Sequence, residues 1–158
     1  MAVIRFCIAA MGRAVLTANT NNQGLRRLYG QRVSISKSQS DKLRKAAMSN
    51  QSEWRLVAWI CRGKSIIHGV NGEKSSIKFK RTFSDKSEAY CCHAEMQVID
   101  KAQATKDDVL YVTRFRKDSK LTMSRPCSEC MKHIKRVGIK VIWWTTWEGQ
   151  WVKEKIEY

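Results

Sequence analysis

Two short segments restrict what this chain can become more than anything else in it. His93-Ala94-Glu95 and Pro126-Cys127-Ser128-Glu129-Cys130 each open a run of helical period, and each run leads into a β-prone stretch. In the first, His93 to Gln103, Met96, Ile99 and Ala102 fall at helical spacing, and Val109 to Phe115 then reads as a strand. The second, Cys127 to Val137, is stopped by Gly138 and followed by the strand-like Lys140 to Thr146. Strand, helix, strand is a parallel crossover, and such units are right-handed almost without exception. Both helices are therefore expected on one side of the sheet, with their N-termini at the same strand ends. Open α/β sheets bind ligands there.

The rest of the chain supplies the remaining elements. Ser38 to Asp41 offers a capping-type start to a short helix, Asp41 to Met48. Trp54 to Cys61 and Ser65 to Val70 are β-prone runs joined by Arg62-Gly63-Lys64, the pattern of a hairpin. Asn71 to Ser87 is a long polar, basic connection of the length that usually has a function. Glu148-Gly149 turns the chain into a last strand, Gln150 to Ile156, antiparallel to the one before it. The expected class is α/β, with a five-stranded mixed sheet and helices on its faces. With 158 residues the chain has room for one ordinary domain. We place it at 38–158, behind an N-terminal extension, 1–37, that includes the loop-like Asn19 to Gly24 and has no assignable role.

Glu95 and Pro126 are separated by 30 residues, so the two helix starts can meet over the sheet edge. Cysteines three apart fall on one helix face, which lets Cys127 and Cys130 grip one ion, with His93 as a third ligand. Three protein ligands leave the fourth tetrahedral position to water, the arrangement of a catalytic zinc site. Helix N-termini favour the thiolate forms. Glu95, two residues after His93, reaches the same open position without ligating and is the candidate proton shuttle. The competing readings are a closed structural zinc site with Cys91 or Cys92 as fourth ligand, and a redox Cys-x-x-Cys. The first leaves Glu95 without a purpose and the second ignores His93.

The order His-x-Glu, then Pro-Cys-x-x-Cys, is the signature of zinc nucleobase deaminases. Through it the chain resembles the CMP/dCMP-type (cytidine/deoxycytidylate) deaminase family over residues 38–157. The resemblance implies a three-layer cytidine-deaminase-like fold, one catalytic Zn2+, and hydrolysis of a cytosine base to uracil. By it, Asn71 is similar to a sugar-contacting residue and the backbone of Ala94 to part of the base pocket. The Glu148-Gly149 hairpin resembles the cytidine-type members, which favours cytosine over adenine.

Charge bears on the substrate. The chain carries +16 overall, and residues 109–140 hold nine cations against Asp118 and Glu129, or +7. Such a surface favours phosphorylated partners. The expected substrate is a free cytosine nucleotide such as dCMP. The nearest alternative is cytosine in single-stranded DNA or RNA, with Phe115, Trp143, Trp144, Trp147 and Trp151 as possible stacking groups. From another class, a basic nucleic-acid-binding module with a structural zinc is the rival. Lys78, Lys80 and Arg81 add charge with no assigned partner, and His68 and His133 read as packed or surface histidines. Cys7, Cys61, Cys91 and Cys92 read as small buried residues. The apolar run Phe6 to Gly12 is too short to span a bilayer and poor as a secretory core, so the chain reads as cytoplasmic, without a membrane partner. A homo-oligomer is compatible with the sequence.

Overall fold

The structure is a computed structural model that describes residues 35–50, 54–72, 77–82, 85–90 and 92–158. The expectations for Phe6 to Gly12, Asn19 to Gly24, Cys7 and Cys91 lie outside them. The elements in chain order are α1 (Lys37–Met48), β1 (Arg55–Arg62), β2 (Ser65–Val70), a 3-10 turn (Ile77–Phe79), β3 (Arg81–Thr82), β4 (Glu88–Ala89), α2 (Ala94–Ala102), β5 (Val109–Phe115), β6 (Leu121–Thr122), α3 (Ser128–Val137), β7 (Val141–Thr145) and β8 (Trp151–Lys155).

The main sheet runs β2-β1-β5-β7-β8. β1 is antiparallel to both β2 and β5, β5 and β7 are parallel, and β8 closes the edge antiparallel to β7. This is the mixed five-stranded sheet expected, with one addition. β7 pairs only the first half of β5, at Val109 to Tyr111, and the short β6 pairs Arg114 and Phe115 near its end.

Side-chain alternation on these strands builds three layers. Along β1, Val57 and Trp59 face one side, and Ala58 and Ile60 the other. On the first side they pack with Tyr111, Phe115 and Trp143 against Leu43 and Ala47 of α1. On the second they pack with Leu110, Val112 and Ile142 against Ala94, Val98 and Ile99 of α2 and Ile134 of α3. The two crossover helices therefore share a face, as their connections require.

Helix α1 starts earlier than its sequence suggests. Ser36 is the N-cap: its hydroxyl accepts from the Gln39 amide at 3.2 Å, and the Ser36 amide donates to Gln39 Oε1 at 2.8 Å. Gln39 also donates to the Lys64 carbonyl in the β1–β2 turn. That tertiary bond favours Ser36-x-x-Gln39 over the competing Ser38-x-x-Asp41, so residues 35–37 of the expected extension form the entry to the packed domain. Among the described residues no helix is long and apolar enough to cross a membrane.

Helix α2 sits unusually close to β2, and Gly69 permits it. A Cβ added there would lie 2.6 Å from the Ala94 carbonyl oxygen and 2.8 Å from the Val98 nitrogen, both backbone atoms of α2. Gln97 Oε1 accepts from the Val70 amide and fastens the same contact. Gly69→Ala must push α2 off the sheet, at a cost of about 3 kcal/mol. A fall in melting temperature of roughly 10 °C, read by calorimetry, is expected. An unchanged melting temperature would show that the helix can shift freely.

Candidate active site

The two segments singled out in the sequence meet at one edge of the sheet. His93 is the N-cap of α2 and Cys127 the N-cap of α3, both with extended backbone and neither spending its side chain on a capping bond. An N-cap side chain naturally lies beside the N3 residue of its helix, which for Cys127 is Cys130. Helix-capping geometry thus brings the two sulfurs together. Pro126 precedes the N-cap, where a missing backbone donor costs nothing.

His93 Nδ1 lies 3.3 Å from Cys130 Sγ and 3.6 Å from Cys127 Sγ, and the three ligand atoms fall within 4.8 Å of one another. A tetrahedral zinc with Zn–S near 2.3 Å and Zn–N near 2.0 Å needs a nitrogen–sulfur separation of about 3.5 Å. The donor set fits that ion. The sulfurs alone are in conflict: their mutual hydrogen bond pushes Cys127 down to about 3, while that bond and burial push Cys130 well up. One proton is shared where two thiolates want a cation between them.

Cys92 does not join this group. Its Sγ donates weakly to the His93 carbonyl, and burial pushes the thiol up to about 11. Among the described residues the metal-ligating cluster is His93, Cys127 and Cys130. His68 and His133 lie outside it, each held below the ordinary imidazole range first by burial. Cys92 is buried as expected, whereas Cys61 is half-buried.

Glu95 sits at the second position of α2, is 2% exposed, and lines the same pocket as His93 and Cys127. Its Oε2 has no hydrogen-bond partner in the structure. Desolvation pushes its carboxyl up. Its own backbone amide, His93 and Arg81 pull it down, and Cys127 adds to the rise. Asn71 also lines the pocket. Its Oδ1 accepts from the Ala94 amide at 3.3 Å, and its carbonyl accepts from Asn50. Ala94 itself is fully buried in the core, and its amide donates to Asn71 Oδ1.

Sequence reasoning gave Arg81 no partner, yet the structure puts it at the site. A small hairpin pairs β3, within the expected connection 71–87, with β4 just past its end. It delivers Arg81, 5% exposed, with Nη1 2.6 Å from His93 Nε2 and 3.1 Å from Nδ1. Two thiolates and one carboxylate outweigh a dication by one charge, and Arg81 supplies the balance in a place where net charge is costly. No sequence signal marks it, because a lone arginine in a polar loop has no periodicity.

A buried hydroxyl network fixes the segment leading into Cys127. Ser124 donates to the Val112 carbonyl at 2.9 Å and accepts from the Thr145 amide at 2.7 Å, while Thr145 Oγ1 donates to the Thr122 carbonyl. These bonds tie the β6–α3 connection to the ends of β5 and β7. The pocket has a volume of about 660 Å³. Trp54, Arg114, Arg125 and Trp147 also line it. Of the aromatics weighed for stacking, Phe115 and Trp143 are buried in the core and Trp151 packs edge-on against Trp59. Trp144 donates to Glu154, which leaves Trp147 in the open.

A helix-flanked mixed sheet with a nitrogen and two sulfurs converging beside a buried carboxylate defines a zinc-dependent hydrolytic enzyme of the nucleobase-deaminase class. The family model for the cytidine and deoxycytidylate deaminase zinc-binding region matches residues 35–146. The chain belongs to that family. Among solved structures it is similar to a cytidine deaminase from Burkholderia pseudomallei, with TM-score 0.49, 18% identity, and coverage of 72% of this chain and 87% of that one. It is similar too to a dCMP deaminase from the cyanophage S-TIM5, with TM-score 0.42, 21% identity, and coverage of 71% and 86%. No curated protein matches the chain.

Proposed function

We propose that this chain hydrolyses a cytosine base to uracil with release of ammonia, and that the smallest complete substrate is a free cytosine nucleotide such as dCMP. The observation carrying this reading is Glu95, a buried carboxylate with a partnerless oxygen, set in a pocket beside His93 and Cys127. A buried carboxylate of this kind costs stability, a cost to be expected where the group has chemistry to perform.

His93, Cys127 and Cys130 would hold the zinc, which when bound supplies Lewis-acid chemistry and lowers the pKa of water toward neutrality. Glu95 takes the proton from the water that adds to C4 of the base. It delivers that proton to ring nitrogen N3, takes the remaining proton from the new C4 hydroxyl, and passes it to the amino group as the C4–N bond breaks and the C4 carbonyl forms. Cytosine and water become uracil and ammonia, and Glu95 returns to its starting state. Asn71, oriented by the Ala94 amide and by Asn50, offers its Nδ2 to the sugar. Pocket burial by Met123 and Leu56 excludes bulk water from the ring.

The direct test is ammonia release by the zinc-loaded protein from cytidine, CMP, dCMP and dCTP. Turnover of dCMP is expected, with cytidine poorer in kcat/KM by about 10-fold or more, since cytidine lacks the phosphate and the charged hydrogen bond it makes at the basic rim. Stoichiometric zinc with no ammonia from any cytosine compound would sink the proposal.

A further inference from the structure

Two tryptophans bracket the pocket mouth, and no role proposed above uses them. Trp54 is 52% exposed and Trp147 65%, and both line the pocket that holds Glu95. Trp54 immediately precedes β1, and Trp147 follows β7. β1 pairs one side of β5, with Arg55 opposite Phe115, and β7 and then β6 pair the other, so Trp54 and Trp147 lie on opposite sides of the end of β5 with β6 on the Trp147 side.

The surroundings say what these indoles would meet. Arg114, from β5 between them, places its guanidinium 3.8 Å over the Trp54 ring. Stacking of that kind holds the indole plane in place. Arg125, gripped by both oxygens of Glu154 at 3.0 and 2.8 Å, is held on the same rim. Residues 109–140, which contribute Arg114 and Arg125 to this rim, carry +7 within a chain of +16. Tryptophan and arginine are common at protein interfaces too, but an excess of cations of this size calls for a polyanionic partner. Exposed aromatic faces set among arginines are what single-stranded nucleic acid uses, its bases stacking and its phosphates tracking the cations.

We propose that Trp54 and Trp147 are stacking platforms for the nucleotides that flank a cytosine in the pocket, so that the substrate class extends from dCMP to single-stranded polynucleotide. This rests on the deaminase reading for the central base. The platforms themselves need only the indoles and the basic rim. Stacking reads no base identity and no sugar hydroxyl, so DNA and RNA strands should both bind.

The test separates the two ideas by using a strand without cytosine. Zinc-loaded protein is titrated into fluorescein-labelled oligo(dT) and oligo(rU), and Kd is read by anisotropy for wild type, Trp54→Ala, Trp147→Ala and the corresponding Phe variants. Each Ala variant should weaken Kd by about 5- to 150-fold, and each Phe variant should recover most of the loss. In parallel, kcat/KM is measured on dCMP and on an oligonucleotide with one cytosine. The ratio of strand to dCMP should fall in the Ala variants. Ala variants that leave Kd unchanged overturn the proposal, as does a change confined to sedimentation, which would make the tryptophans a contact between copies. Deamination of dCMP without any strand binding overturns it too. Tryptophan-dependent binding with no deamination of any substrate upholds the platforms and removes the deaminase reading.

Discussion

Glu95→Gln should lower kcat by on the order of 10³-fold while zinc content stays at one per chain. The amide keeps the shape of the carboxylate but cannot take a proton from water or hand one to a leaving amine. Zinc content is expected to hold because the ligand cluster is His93, Cys127 and Cys130, with Glu95 outside it. Stability should move in the opposite direction from activity. The carboxylate is buried with Oε2 unpartnered, and burial works against its charged form. A neutral amide is cheaper to bury, so the melting temperature should stay level or rise by a few degrees. Rapid-quench assays with dCMP, metal analysis and calorimetry on the same preparation check all three. A structural role for Glu95 would instead lower the melting temperature and leave the residual rate proportional to folded protein.

Much of this site was legible because its residues begin elements whose period is visible. The helical spacing after His93 and after Cys127 placed both segments at helix starts, and crossover handedness put those starts at one sheet edge. The ligand triad follows from that topology. Ser36 was obscured by Ser38, since both head a capping pattern and only the bond from Gln39 to Lys64 decides between them. Arg81 was hidden for a different reason. Its hairpin strands are two residues each, too short for alternation to register, and its contact with His93 forms only once the loop closes back onto the start of α2. Trp54 reads as the first residue of a strand. Its place at the pocket mouth emerges only once β1 is known to lie beside β5. Residues whose roles come from periodic elements can be read from a sequence, while those set by loop closure and strand order cannot.

Removal of the metal should be felt by the fold as strongly as by the chemistry. Cys130 is fully buried against its partner sulfur, and α2 and α3 otherwise meet through little more than Ile134 and its neighbours. Zinc joins the first turns of these two helices, and the unfolded chain lacks the convergent triad, so binding energy is added to folding energy. Free zinc at a hundredfold excess over its Kd stabilises the native state by about 2.7 kcal/mol. Stripping the protein with a chelator should therefore lower the melting temperature by on the order of 10 °C, and returning zinc should restore it. Cys130→Ala should reproduce the stripped state without the chelator, losing stoichiometric zinc and all measurable turnover. Added zinc should leave its melting temperature unchanged. If that variant retained one zinc per chain, another donor would have to complete the set, and Cys92, the described thiol next to His93 in the chain, instead turns toward the His93 carbonyl. Metal analysis on Cys130→Ala therefore tests the triad itself, independently of any substrate.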